Sequence, residues 1–528
     1  MSTINVKANK TPKNSHLNHM GGTSFDLSNP IQRLRMAASS CFFGEPMYYH
    51  TDKKTKAPTQ HVARGTLIES LRDELGALDP QEWRSFSPTE LMESAIKAAL
   101  DFDVEQTLQE AVRLRTEENI RTTPQVILVM AANHPKAKKT GLIRKYGGLI
   151  MQRADEPATA MAYQLAKFGK PIPNSLKRAM ADKLKSLSTY QMAKYRMESR
   201  VVKTVDVVNL VHPEATVAID SLVKGTLTTT NQTWESIISQ EGSTPESWAK
   251  ALDVMGHMAL LRNIRNLLQK GLDHKTFISK LVEGAKTGKQ LPFRYFSAYK
   301  AMESGTPGPV LDALEEAMLL SIENLPKFEG KTACLCDNSG SAQGTTTSSM
   351  GSMRVSEIAN LTGILAGMCS DEAVLGIFGD KLDLLPVRKK ASIFDQLKAA
   401  EKSASSIGGG TENGIWLFWD QAIREKEHFD TVFVFSDMQA GHGRLYGTDR
   451  NAYKDFQWKG TANIDVGRLI NKYRATVNKD VNVFLVQVAG YQDTIIPEFY
   501  KRTYILGGWG DGLLSFAHSM INLPIASQ

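Results

Sequence analysis

Cysteine is scarce in this chain. Four in 528 residues (Cys41, Cys334, Cys336 and Cys369) are too few and too unevenly spaced for a disulfide framework, and no two have the CxxC spacing of a zinc site. A reducing, cytoplasmic setting is the expectation. No run reaches the roughly 18 to 20 apolar residues that a membrane helix needs, and Met1 to Lys10 are polar with no hydrophobic stretch behind them, so neither a membrane span nor an export signal is expected. Gly507-Gly508-Trp509-Gly510 lacks the Gly-Lys-Ser/Thr of a phosphate loop and reads as turn structure. His16 and His19 form an H-x-x-H within a polar leader, whereas metal ligands normally sit on ordered elements. No Ser/His/Asp or Cys/His set can be assembled, so no catalytic residue is assigned and an enzyme is not expected.

What the chain does have is unevenly distributed positive charge. The net charge is +7, and residues 131–210 alone hold 16 Lys and Arg against 5 Asp and Glu, a local +11. Such a field attracts phosphate polyanions, and the plainer reading is a solvated basic face.

At 42% hydrophobic residues and this length, at least two cores are expected. From about residue 30 to 325 the pattern is a succession of amphipathic helices. Ser87, Pro88 and Glu90 form a cap, a first-turn proline and a capping box ahead of Leu91, Met92, Ala95, Ile96, Ala99 and Leu100, which repeat at helical spacing. Thr244-Pro245-Glu246 starts another helix, and Val310 to Leu325 forms one that Pro326 stops. Many short helices of similar length predict stacked helical pairs, although no exact repeat period is visible.

Beyond Leu325-Pro326-Lys327 the pattern changes. Short apolar runs at 332–336, 373–378, 431–435 and 481–488 read as buried parallel strands, with helices between them at 355–368, 393–403, 414–424 and 464–474. This alternation predicts a doubly wound α/β sheet.

The first strand ends in Asp337-Asn338-Ser339-Gly340-Ser341, a D-x-S-x-S at the carboxyl edge where such sheets place ligands. A carboxylate and two hydroxyls on alternate positions of a tight loop supply hard oxygen ligands to a small divalent cation. Thr411, after Gly408-Gly409-Gly410, and Asp437, after the strand at 431–436, bring the candidate metal set to Asp337, Ser339, Ser341, Thr411 and Asp437. Magnesium is the expected ion, held in the manner of the metal-ion-dependent adhesion site (MIDAS) of von Willebrand factor A-like domains. A Ser/Gly turn without metal, or Asp337 as a phosphoryl acceptor, are the competing readings; the latter lacks nearby acid, base or lysine groups.

A long helical region joined to this domain resembles the Ro autoantigen family, whose helical part is the TROVE module. The resemblance is carried by Glu118-Asn119-Ile120-Arg121-Thr122-Thr123-Pro124, by Lys194-Tyr195-Arg196 through Arg200 and Lys203 to His212-Pro213, by Leu260-Leu261-Arg262-Asn263 and by Leu291-Pro292-Phe293-Arg294-Tyr295. Gly408-Gly409-Gly410-Thr411-Glu412 and Phe435-Ser436-Asp437 add to it. It covers nearly the whole chain beyond the leader and looks like that of a bacterial Ro orthologue. It implies an α plus α/β protein: a flexible leader at 1–20, a ring of HEAT-like helical repeats at 21–327, and a Rossmann-like von Willebrand factor A domain at 328–528 that closes the ring.

The resemblance also implies a function, a monomeric RNA-binding protein of noncoding RNA quality control and processing. Single-stranded 3′ ends of misfolded or unprocessed RNA would enter the central hole, small structured Y RNA would grip the outer surface, and a 3′ exoribonuclease would be tethered through Y RNA. The candidate RNA contacts are Lys194, Arg196, Arg200, Lys203 and His212, with Arg121, Lys138 and Lys139 beside them. His212 reads equally well as a core histidine capping a helix end before Pro213. Two other readings compete: a metal-dependent protein-interaction scaffold without RNA, which the basic block opposes, and a metal-dependent hydrolase, which the missing general base opposes.

Overall fold

The computed structural model describes residues 15–17, 23–26, 29–40, 49–51, 58–59, 88–117, 120–198, 200–227, 233–288, 290–302, 304–343, 346–347, 354–409, 414–436, 464–488, 493–494, 502–507 and 513–522. The chain divides into two compact units, Glu93–Ser321, and Met1–Met92 together with Ile322–Gln528.

The N-terminal stretch contributes β1 (Ser15–Leu17) antiparallel to β2 (Thr23–Asp26), α1 (Pro30–Ser40), β3 (Tyr49–Thr51) and β4 (Pro58–Thr59). Asn29 starts α1, its side-chain oxygen accepting from the Ile31 N–H at 2.8 Å.

Helices follow in close succession: α2 (Pro88–Phe102), α3 (Val104–Thr116), α4 (Thr122–Asn133), α5 (Leu142–Ile150), α6 (Glu156–Lys167), α7 (Asn174–Lys185), α8 (Thr189–Lys194) and α9 (Thr204–Val211). Then come α10 (Val217–Val223), α11 (Trp234–Glu241), α12 (Pro245–Val254), α13 (His257–Gln269), α14 (Ile278–Thr287), α15 (Pro292–Lys300) and α16 (Gly308–Ser321). Helix after helix packs on the one two places along: α3 on α5, α4 on α6, α5 on α7, α7 on α9, α8 on α10, α13 on α15, α14 on α16. That is the arrangement of stacked helical pairs, in which each pair buries an apolar stripe it could not bury alone. Polar caps set the boundaries. Asp103 accepts from the Gln106 N–H at 2.9 Å, and Thr244 and Ser247 exchange bonds at 3.2 and 3.0 Å around Pro245. The expected helix after Pro88 is α2, while its cap residue Ser87 lies outside the described residues.

The second unit continues with β5 (Phe328–Asp337), α17 (Gly340–Gln343), β6 (Thr346–Thr347), α18 (Val355–Met368), β7 (Ser370–Phe378), β8 (Leu382–Pro386), α19 (Ile393–Ala404) and α20 (Gly414–Glu425). It ends with β9 (Thr431–Ser436), α21 (Val466–Thr476), β10 (Asn482–Gln487), β11 (Asp493–Thr494), β12 (Thr503–Gly507) and α22 (Leu513–Asn522). The sheet order is β12-β10-β9-β5-β7-β8, parallel except for the antiparallel edge β8. Alternate residues of β5 serve opposite faces. Ala333 and Leu335 join Trp416, Trp419 and Tyr473 of α20 and α21 in one core, whereas Cys334 and Cys336 meet α18. Every residue of α18 is buried, the polar Ser356, Glu357, Asn360 and Thr362 included.

The expected α/β alternation is present, with the additions α17, β6, β8, β11, β12 and α22. The N-terminal stretch packs with this unit, since β2 pairs with β11, β3 pairs with β6, and α1 meets β12. The sequence predicts residues 21–92 to belong with the helices, because short two- to four-residue pairings between distant segments leave no periodic signal to read. Among the described residues, no helix is long and apolar enough to cross a membrane.

Candidate metal centre and nucleic-acid interface

β5 and β9 lie side by side at the point where strand order reverses, with Cys336 opposite Phe435, so Asp337 and Ser436 end their strands together at the carboxyl edge. Asp337 is fully buried. Its Oδ1 accepts from the Ser339 N–H at 2.9 Å and its Oδ2 from the Ser436 hydroxyl at 2.6 Å. The Ser339 and Ser341 hydroxyl oxygens are 3.1 Å apart. That separation is the length of the hydrogen bond between them, and it is also close to the roughly 2.9 Å between adjacent ligands of an octahedral magnesium ion.

The loop is held from beneath. Asn338 and Asn360 of α18 exchange side-chain amide bonds at 2.8 and 3.0 Å, and Asn338 also donates to the Cys336 carbonyl at 3.0 Å. The Gly340 N–H donates to the Gly409 carbonyl at 2.7 Å, which brings the glycine loop against the motif. At Gly408, φ is +85°, and a Cβ there would stand 2.3 Å from the Asp380 carboxylate. Thr411 and Asp437 lie outside the described residues. Three of the five expected ligands are thus placed, on one loop. Among the described residues no cluster of three or more His, Cys, Asp or Glu forms, in keeping with a set that here consists of one carboxylate and hydroxyls.

The basic candidates fall into separate groups. Lys194 ends α8, its ammonium 5.8 Å from the Tyr195 ring centre, and Lys203 precedes α9, its N–H donating to the Asp206 carboxylate at 2.8 Å. Between them the chain folds back on itself: the Thr204 N–H donates to the Arg196 carbonyl at 3.0 Å, its hydroxyl to the Tyr195 carbonyl at 2.6 Å, and the Arg200 N–H to the Met197 carbonyl. Lys194, Arg196, Arg200 and Lys203 therefore share one loop, with Lys194, Arg200 and Lys203 exposed. His212 closes the other end of α9, about 13 Å away along the axis. It is exposed in the left-handed region at φ 50°, its N–H donating to the Val208 carbonyl at 3.0 Å. It caps the helix, and it is not a core histidine.

Arg121, at the start of α4, sits where burial and the neighbouring Arg153 guanidinium hold it below the ordinary arginine value. Lys138 and Lys139 are exposed beyond the other end of α4, about 18 Å along the helix. Sequence reasoning missed Arg153, which donates to the Tyr195 hydroxyl at 3.2 Å and whose charge repels that of Arg121. It also missed Ser436 and Asn360, whose partners are 99 and 22 residues away and leave no local spacing to detect.

A TROVE domain family model matches residues 224–306, which include Leu260–Asn263 and Leu291–Tyr295. The crystal structure of the Deinococcus radiodurans Ro (RSR) protein has the same fold, with a TM-score of 0.58 over 92% of this chain and 99% of that chain at 14% identity. The chain resembles a bacterial Ro protein. No curated protein matches the sequence. In this Ro-like chain the TROVE match falls within the stacked helices of the Glu93–Ser321 unit, C-terminal to the basic loop, and the D-x-S-x-S site falls within the other unit.

Proposed function

We propose that the chain binds noncoding RNA and acts in RNA quality control and processing by binding, without catalysing a reaction. A structured, Y-like RNA is held on the loop carrying Lys194, Arg196, Arg200 and Lys203, and single-stranded 3′ ends are held by the helical unit. The observation that carries this reading is that four cations, drawn from the most basic stretch of the sequence, stand on one internally hydrogen-bonded loop. A loop so fixed loses little freedom when it meets phosphates. The resemblance supports the choice of RNA over other polyanions. On the same reading a 3′ exoribonuclease is a partner through the RNA, the protein is a cytoplasmic monomer, and the other unit is a von Willebrand factor A-like domain.

The second unit is proposed to hold magnesium through Asp337, Ser339 and Ser341, with Thr411 and Asp437 completing the protein ligands. The ion supplies a fixed positive charge on which an acidic group of a partner could complete the coordination shell. The chain's own contribution is to hold Asp337 by Ser436 and to hold the loop by Asn360.

Replacing Lys194, Arg196, Arg200 and Lys203 together by alanine tests the RNA surface. Each phosphate contact contributes about 0.7 to 0.9 to the slope of log affinity against log salt. The variant should bind a structured Y-like RNA more weakly and with a flatter slope, while preference for a free 3′ tail survives. Unchanged affinity and slope in a folded variant would remove this loop from the interface.

A further inference from the structure

Beneath the basic loop lies a cavity of about 280 Å³ lined by Arg196, Glu198, Lys203, Val205, Leu222, Gly225 and Leu227. Its inner wall is apolar: Leu222 and Leu227 are buried and Val205 is half-buried on the first turn of α9. Its polar lining is two cations and one carboxylate. The guanidinium of Arg196 meets the exposed Glu198 carboxylate at 3.4 Å, longer than a strong charge-assisted bond, so both groups keep hydrogen-bonding capacity for a ligand.

The volume lies just below the roughly 300 to 1,000 Å³ of sites for drug-sized ligands and suits something smaller, flat and apolar-faced with polar edges. A nucleobase has that character. We infer that this cavity receives one unpaired guanine of the bound RNA, its face against Val205, Leu222 and Leu227 and its flanking phosphate at Lys203. Guanine follows from the carboxylate: its Watson–Crick edge offers two adjacent N–H donors, which one carboxylate accepts together, and its O6 and N7 offer acceptors to Arg196. A surface built only for phosphate gains nothing from Glu198, whose charge repels the backbone. The inference rests on the RNA reading of the loop above.

The test uses the full chain at one salt concentration with a hairpin carrying a single bulged G, A, C or U, or no bulge. The bulged G should be bound roughly tenfold more tightly than the unbulged hairpin, the size expected of one bidentate contact. Glu198→Gln should remove that preference while binding the unbulged hairpin at least as tightly as before, because a negative charge has gone. Val205→Trp, which fills the cavity, should remove the preference as well. Equal affinity for all five hairpins, or a preference for G that persists in Glu198→Gln, overturns the guanine site. Failure of every hairpin to bind is instead a failure of the surface reading. Calorimetry with GMP and CMP then decides the cavity alone: GMP binding that is lost in Glu198→Gln upholds it, and equal binding of the two nucleotides, or none, overturns it.

Discussion

At the scale of single residues, the chain places its charges where their partners are few and specific. Arg115 and Glu156 are both almost fully buried, joined at 2.9 Å through Nε and Nη2, and the second Glu156 oxygen accepts from the Arg153 N–H at 2.9 Å. Glu156→Gln keeps the shape and removes the charge, leaving a buried guanidinium without its counter-ion. A loss of about 3 kcal/mol in unfolding free energy is expected, read by urea denaturation; a change below about 0.5 kcal/mol would show the pair to be dispensable. Asp337 is the comparable residue of the α/β unit. Asp337→Ala should abolish magnesium or manganese binding measured by titration calorimetry, while RNA binding by the helical unit continues. Undiminished metal affinity in that variant would refute the site. The Asp and Ser of this motif were legible because alternate positions after a strand must converge. Asn360, which fixes the loop, was not, because the pairing depends on how a helix lies on a sheet.

Elements were the most legible level. Period 3.6 and polar caps located the helices, and α18 spans the very residues, 355–368, that the sequence marked as helical. Strand cores were legible for the same reason, since β5, β7, β9 and β10 are buried on both faces. The edge strand β8 is only half-buried along Leu382–Leu385, so its sequence gives no such run. Close packing between elements was also invisible in the letters. Gly363 of α18 lies so near the sheet that a Cβ would stand 2.5 Å from Cys336 Sγ and 2.8 Å from Leu375 Cδ1. Gly363→Ala therefore separates α18 from β5 and β7, and a cost of about 1 to 3 kcal/mol is expected despite the better helix propensity of alanine. Calorimetric unfolding checks it, and a rise in midpoint would show that the contact relaxes freely.

Over the whole molecule, charge is the property that the sequence announced and that the structure divides among surfaces. The basic block supplies the Lys194 loop at one end of α9 and the Lys138–Lys139 turn beyond α4, and it is followed in the chain by the TROVE match rather than overlapped by it. Counting charges could not show this division, because which cations share a surface depends on the turns between helices. The proposed function predicts that RNA binding through these surfaces is electrostatic in its salt dependence and selective for an unpaired end. The most direct measurement is the affinity of the full chain, across a salt series, for one structured RNA with a single-stranded 3′ tail and for the same RNA blunt-ended. The account expects tight binding that falls linearly in log affinity against log salt, with the tailed RNA bound more tightly at every concentration. Absence of binding, or binding that neither responds to salt nor distinguishes the tail, would contradict it.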